Sequence, residues 1–470
     1  MEQSKYLSHD TIHALATPVG GALAVVRMSG GRSAEILSAL LGRAELGSHP
    51  PRELFRARLR SEKGDTLDDA MAVYFKGPKS HTGEDGVELY LHGGPVVAER
   101  VLIELEQLGS RQALPGEFSF RAVRNGKTSI SEARAVADLI SAGNEAAARL
   151  ALEKMEGTQS RLIERLAEKL RKLATMGELG IDFADQDVEE LSLPVLKIQV
   201  REAIAELKTL EGSFDRGEKI QFGIRTAFIG RPNAGKSSFF NALLGEERSI
   251  VSDLAGTTRD IVRERVTLRA AAATVTLRLE DTAGIRASAE DRVERAGIER
   301  SIRAAKDADL VVWVVDADAT DHEWESSRAV FSEVIQAKPH RVVGVLTKKD
   351  RVDQAGLSRA SARIAALGVW VLGAVDSTTG AGVSEAAKEL AEACARMTSR
   401  KPGEVLLTRL DELRAVREAV THLERALGAS AEDLFAADLR QALVSLGAVI
   451  GETLPDDILG RIFSEFCIGK

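Results

Sequence analysis

The residues Gly230-Arg-Pro-Asn-Ala-Gly235-Lys236-Ser237 follow the pattern G-x-x-x-x-G-K-[S/T], after an apolar run and before a helical one. Glycines at this spacing let consecutive backbone N–H groups wrap phosphate oxygens, and the helix that follows offers a partial positive charge at its N-terminus. Lys236 is the group expected to reach the terminal phosphates, the Ser237 hydroxyl suits magnesium, and Asn233, Ala234, Gly235 and Ser238 complete the loop. Asp281-Thr-Ala-Gly284 follows a second apolar run, where a carboxylate would organise magnesium and a glycine N–H would meet the γ-phosphate. Between the two lies Asp253-Leu-Ala-Gly-Thr257-Thr258-Arg-Asp260, a threonine loop in which Thr258 is the expected ligand of magnesium and the γ-phosphate.

A base reader comes next. Thr347-Lys348-Lys349-Asp350 ends an apolar run, and the Asp350 carboxylate can accept from both N1–H and N2–H of guanine, which adenine cannot satisfy. The related consensus begins with Asn, so Thr347 departs from it. Asp376-Ser377 likewise departs from the Ser-Ala pair usual in the last base-contacting loop, and weaker nucleotide affinity is one consequence of such changes. Ras-like GTPases orient the attacking water with a glutamine after D-x-x-G, but here Ile285 stands in that place. Asn233 offers a side-chain carbonyl suited to a monovalent cation beside the phosphates. Glu294 has two readings, a solvated helix face or a group that orients water through a second water.

These motifs need strands and helices to hold them. Ile224–Ile229, Thr274–Leu279, Leu310–Val315, Arg341–Leu346 and Val369–Leu372 read as strands alternating with helices, the pattern of a mostly parallel sheet. Upstream, Ala22–Met28, Asp69–Phe75 and Val87–Leu91 read as strands and Ser33–Leu41 and Val96–Leu108 as helices, an α+β module. Leu162, Leu166, Leu170 and Leu173 mark one buried helical stripe, Leu193–Leu210 reads as a second helix, and Glu211–Lys219 reads as a linker. Glu404–Leu446 is again amphipathic helix. The expected organisation is an α+β domain over residues 1–125, a helical domain in two discontinuous parts (126–219 and 398–470) that pack on each other, and an inserted Ras-like P-loop GTPase domain of α/β type over 220–397.

With 470 residues the chain is too long for one core. A net charge of −8 argues against a simple nucleic-acid coat, and 4% aromatics against a stacking platform for single strands. No apolar run approaches the length that spans a bilayer, the first residues lack a signal-peptide layout, and two cysteines give no disulfide framework, so a cytoplasmic protein away from membranes is expected. Cys467-Ile-Gly-Lys470 fits a prenylation box only superficially, because Gly469 is not aliphatic and Lys470 is not a favoured last residue.

Further motifs extend the pattern beyond the phosphate site. Asp10-Thr-Ile with Ala16-Thr-Pro18, Val26-Arg27-Met-Ser-Gly30, Ser80-His-Thr-Gly-Glu-Asp85, His92-Gly-Gly-Pro95, Pro115-Gly-Glu-Phe118 and Phe466-Cys-Ile-Gly-Lys470 occur in that order. Together with the P-loop and Asp281-Thr-Ala-Gly284 they resemble the tRNA modification GTPases of the MnmE (TrmE) family over nearly the whole chain. The resemblance implies an N-terminal domain that binds a 5-formyl- or methylene-type tetrahydrofolate and dimerises, with Arg27, Glu88, Lys127 and Lys470 at the folate. It implies a potassium site at Asn233, Ser252, Leu254 and Thr257, pairing of two GTPase domains across it, and a catalytic role for Glu294. Cys467 would lie near the folate, with an inert thiol as the alternative. It further implies a homodimer that acts with an FAD-containing partner, MnmG, to add an aminomethyl-type group to carbon 5 of the wobble uridine of certain tRNAs. A regulatory GTPase switch in ribosome assembly is the alternative from a different class, and it would not need the folate residues.

Overall fold

The computed structural model describes residues 6, 10–42, 49–182, 192–246, 265–269, 274–279, 302–337, 339–450, 462–464, 466 and 469. Contacts divide the chain into two compact units, Met1–Ala137 with Leu443–Lys470, and Asp138–Ala442. The last residues of the sequence thus group with the first, whereas the sequence reading joined them to the helices from residue 398.

The first unit is built on a sheet of order β3-β4-β5-β2-β1-β6. Its strands are β1 (Ile12–Leu15), β2 (Leu23–Ser29), β3 (Phe55–Arg60), β4 (Thr66–Phe75), β5 (Gly86–His92) and β6 (Arg111–Gln112). Period-two alternation decides what each face carries. Ala24, Val26 and Met28 of β2 and Leu89 and Leu91 of β5 point inward onto α1 (Ser33–Leu40) and α2 (Pro95–Gln107), whose Ile36, Leu37, Val101 and Leu105 close the core. Arg27 therefore projects from the other face, directly opposite Glu88 in the β2–β5 register. A smaller core joins Tyr6, Phe120 of α3 (Glu117–Arg124), Ile130 of α4 (Ile130–Ile140) and Phe463, with the Phe120 and Phe463 rings edge to face at 6.0 Å. That aromatic contact holds Phe463 against α3.

The second unit holds the α/β sheet, of order β12-β11-β10-β7-β9-β8. Its strands are β7 (Ile224–Ile229), β8 (Arg265–Arg269), β9 (Thr274–Leu279), β10 (Leu310–Asp316), β11 (Val342–Thr347) and β12 (Trp370–Ala374), all parallel to their neighbours except β8. Both faces of such a sheet are buried, which explains the near-continuous apolar strands. One face packs Phe239, Phe240 and Leu243 of α9 (Lys236–Glu246), and the other packs Trp313 against Trp324 and Phe331 of the helix Asp321–Ala337. Truncating the fully buried Phe240 would cost about 3–5 kcal/mol and loosen the helix behind the phosphate loop.

The helical layer comprises α5 (Glu145–Met155), α6 (Thr158–Asp182), α7 (Leu193–Gly212), α8 (Phe214–Phe222) and the helix Leu410–Gly428. α7 and Leu410–Gly428, distant in sequence, lie together with Lys208–Glu424 and Arg417–Glu211 pairs at 2.7 Å along their rim. On α6 the buried stripe runs Ile163, Leu166, Leu170, Leu173, and Leu162 sits at its half-buried margin. The expected linker, residues 211–219, is helical instead. Its polar residues are consumed at an interface: Ser213 Oγ donates to the Leu210 carbonyl at 2.6 Å and accepts from Leu407 N–H at 3.0 Å, and Lys219 is buried beside Asp215 and Asp309.

Candidate functional site

β7 ends at Ile229 and the phosphate loop begins at once, leading into α9. Lys236 is held inside the loop, its Nζ donating to the carbonyls of Gly230 and Arg231, each at 2.8 Å. Burial lowers the pKa of this ammonium. Asn233 stands at the loop's exposed tip with φ +60°, an unusual conformation for a residue with a side chain, which turns the chain back toward α9. Gly235 takes φ +88° with the Thr347 side chain 3.2 Å from where a Cβ would stand, so the loop and the base-reading strand meet here. Ala234 is buried, Ser237 is half-buried in the first turn of α9, and Ser238 faces solvent.

Thr347 is buried at the end of β11, and its hydroxyl donates to the Ala234 carbonyl at 2.6 Å, with the Val315 carbonyl of β10 at 3.2 Å. Thr347 thus ties the candidate phosphate loop to the strand that leads into the turn carrying Asp350. Lys348 follows with φ +54°, and its ammonium pairs with Asp316 at the end of β10. That left-handed residue swings the chain into the short turn Lys349–Arg351, which exposes Asp350. The last loop is tied to the same place, since Val375 N–H donates to the Leu346 carbonyl at 2.8 Å and Lys349 N–H to the Val375 carbonyl at 3.2 Å. Asp376 is turned into its own loop, accepting from Thr379 Oγ1 at 2.5 Å and Thr378 N–H at 2.9 Å. Those two hydrogen bonds, the Thr379 hydroxyl first, hold its carboxyl below the usual range. It shapes the loop.

The structure therefore brings Asn233, Ala234, Gly235, Lys236, Ser237, Ser238, Thr347, Lys348 and Asp350 to one end of one sheet. Ser252, Leu254, Thr257, Thr258, Asp281, Gly284 and Glu294 lie outside the described residues. Asp316 was missed from sequence, although an acid closing an apolar strand beside a lysine loop was a usable signal.

A second group of expected residues lies in the first unit. Arg27 Nε and Glu88 Oε1 pair at 2.9 Å across β2 and β5, Arg27 Nη1 donates to the Gly469 carbonyl at 3.2 Å, and the Tyr90 hydroxyl donates to Glu88 Oε2 at 2.8 Å. The pair borders an open cleft that Ser29, His81, Thr82 and Phe118 also line. Loss of hydration, and then the Arg27 guanidinium, lower the pKa of His81, which favours the neutral imidazole. Behind the cleft a chain of polar contacts runs from the buried Glu117 through the buried Arg121 (2.9 Å) to the half-buried Glu84 (3.0 Å) and on to Ser29 (2.8 Å), fixing the wall. Lys127 is exposed and donates to the Pro78 carbonyl at 2.9 Å, outside the cleft lining. Cys467 and Lys470 lie outside the described residues. Sequence reasoning missed His81 as a cleft residue, although it sits inside the quoted 80–85 motif, and missed Tyr90 as the hydroxyl that holds Glu88.

A parallel sheet with a G-x-x-x-x-G-K-S loop after its central strand β7 and a Lys-Lys-Asp turn after β11 defines a P-loop GTP-binding protein. Residues 11–127 match the family described as "GTP-binding protein TrmE N-terminus", and residues 130–467 match the "MnmE helical domain". The chain belongs to the MnmE/TrmE family, and it is a GTP-hydrolysing enzyme of tRNA modification. Among solved structures it is similar to a variant of SsGBP, at 13% identity over 44% of this chain and 71% of that one, with a TM-score of 0.27. Translation elongation factor SelB from Methanococcus maripaludis, in complex with a GTP analogue, gives 18% identity over 36% and 33%, with a TM-score of 0.25. The FeoB G-domain from Methanococcus jannaschii gives 21% over 36% and 97%, again at 0.25. Likenesses this distant add nothing to the assignment, which rests on the two family matches. No helix among the described residues is long and apolar enough to cross a membrane.

Proposed function

We propose that this chain hydrolyses GTP at the Lys236 cradle to drive a conformational cycle, and that the cycle serves addition of an aminomethyl-type group to carbon 5 of the wobble uridine of certain tRNAs. The observation that carries the reading is the hydrogen bond from Thr347 to Ala234, which joins a phosphate loop and a guanine-reading loop in a member of a tRNA modification family. On binding GTP, Lys236 would exchange the carbonyls of Gly230 and Arg231 for the terminal phosphates, and Asp350 would accept from the guanine edge. The Ser237 hydroxyl, with Thr258, suits magnesium, and the amide oxygen of Asn233, exposed at the loop tip, suits potassium together with Ser252, Leu254 and Thr257. Both cations supply charge neutralisation at the phosphates when bound. Glu294 would orient the attacking water.

The cleft beside Arg27 and Glu88 suits a reduced folate carrying a one-carbon unit. Glu88 is an acceptor for the N–H groups of a pterin edge, Arg27 is a cation for an anionic tail, and Lys127 and Lys470 would be further cations for that tail. A homodimer in the cytoplasm, working with an FAD-dependent MnmG flavoprotein, completes the reading. Mass spectrometry of tRNA nucleosides tests it: 5-substituted wobble uridines should vanish on deletion of this protein and return with the wild type. An unchanged nucleoside profile would exclude the modification role.

A further inference from the structure

Helix α5 touches the GTP-binding sheet at one end and the helical layer at the other. Just before its first turn Asn144 uses both halves of its amide. Its Oδ1 accepts from Ala147 N–H at 2.8 Å and caps the helix, while its Nδ2 donates to Thr276 Oγ1 at 2.8 Å. Thr276 is a buried residue of β9. Around it, Thr267 Oγ1 of β8 donates to the Gly143 carbonyl at 3.2 Å, and Gly223, at φ +91°, lies against the Thr276 carbonyl where a Cβ would come to 3.0 Å. At the far end of α5, the buried Lys154 donates to Thr408 Oγ1 at 2.6 Å and pairs with Glu412 at 3.2 Å, and Glu153 pairs with Arg400.

A buried threonine on a strand is ordinarily core, its hydroxyl returned to the local backbone. Here the hydroxyl meets an asparagine more than a hundred residues away in the sequence. Its strand matters too. β9 pairs in parallel with β7, Ile224 against Leu277 and Thr226 against Leu279, and β7 runs directly into the phosphate loop. By sequence, Asp281 stands two residues beyond Leu279. Any displacement of β9 along β7 between nucleotide states must either break the Asn144–Thr276 contact or carry α5 with it. A helix of this length is a stiff rod of about 16 Å, so its other end, anchored at Lys154 and Glu153, receives the motion.

We infer that Asn144 and Thr276 form a latch through which α5 passes the nucleotide state of the phosphate site to the helical layer. The inference rests on the proposed conformational cycle, and Thr276 is a positioning residue that touches no substrate. Thr276→Val in the full chain keeps the volume and the β-branch and leaves the cap of α5 intact. It should keep GTP hydrolysis within about twofold of wild type, while modified wobble uridine in cells relying on it falls about fivefold or more. Thr276→Ser, which retains the hydroxyl, should restore the modification. In parallel, amide exchange in α5 should differ between GDP and a GTP analogue in the wild type and not in Thr276→Val. Wild-type modification together with an unchanged exchange difference in Thr276→Val would overturn the latch, as would loss of hydrolysis and modification in step. Wild type that restores no modification would remove the functional reading instead, and the exchange comparison then decides the latch alone.

Discussion

The Thr347 hydroxyl donates to the Ala234 carbonyl at 2.6 Å, so the strand that leads into the candidate base-reading turn holds the candidate phosphate loop. Thr347→Val keeps the shape and removes the donor, leaving a buried carbonyl with one partner fewer. Loss of such a bond costs about 1–2 kcal/mol, or roughly ten-fold in nucleotide affinity if it acts only on the closed loop. Titration with a fluorescent GDP should show that weakening with little change in thermal stability. Unchanged affinity would mean that the two loops are positioned independently.

How much of this was legible in sequence differs from strand to strand. β7 and β9 were readable to the residue because Thr-Val-Thr-Leu-Arg-Leu of β9 alternates with the period of a strand, and the apolar end of β7, Ala-Phe-Ile, stops at Gly230. β3 was passed over although Phe-Arg-Ala-Arg-Leu-Arg alternates with the period of a half-buried strand, because its three exposed arginines weigh toward a charged loop by composition. Polarity misled in the same way at residues 211–219, where charged residues face other elements rather than water. In the candidate site, residue types and spacing pointed to Lys236 and Asp350 as candidates, but not to the bond that Thr347 makes, since the consensus position holds a different chemistry. The pairing of Arg27 with Glu88 is a matter of register between β2 and β5, which one strand's sequence does not specify.

Potassium dependence should be lost with a single side chain at the loop tip. Asn233 projects there at φ +60°, outside the buried part of the loop. Asn233→Ala should fold, bind GTP and lose the stimulation of hydrolysis by potassium over sodium. Stimulation that persists in this variant would reject the cation role of Asn233.

The cleft makes a separate prediction. Arg27→Met removes the cation and leaves Glu88 with the Tyr90 hydroxyl as its remaining partner. A charge-assisted contact is worth about 1.5–3 kcal/mol, so affinity for 5-formyltetrahydrofolate by calorimetry should fall at least about ten-fold. Wild-type affinity in Arg27→Met would place the folate elsewhere.

Acid should weaken the first unit through His13. Its Nδ1 lies 2.8 Å from Ser110 Oγ, which itself donates to the Leu105 carbonyl at 2.7 Å, so the ring must donate from Nδ1. Burial lowers its pKa from 6.5 to about 4. Between those values the unfolded chain binds a proton that the folded chain refuses, so stability rises with pH and is lost as pH falls from about 6.5 towards 4. The loss approaches about 3 kcal/mol at the acid end. Amide exchange of β1 at pH 7 and pH 5 should report the decline, and His13→Gln should flatten it. An equal pH dependence in the variant would assign the effect to another group.

The most direct test of the account is the tRNA of cells whose only copy of this protein carries Lys236→Ala. Lys236 is the ammonium held by the Gly230 and Arg231 carbonyls at the phosphate site. If GTP hydrolysis there drives the modification, the purified variant should have lost hydrolysis and the 5-substituted wobble uridines should be absent from the tRNA, as in a deletion. Full modification from a variant that cannot hydrolyse GTP would contradict the claim.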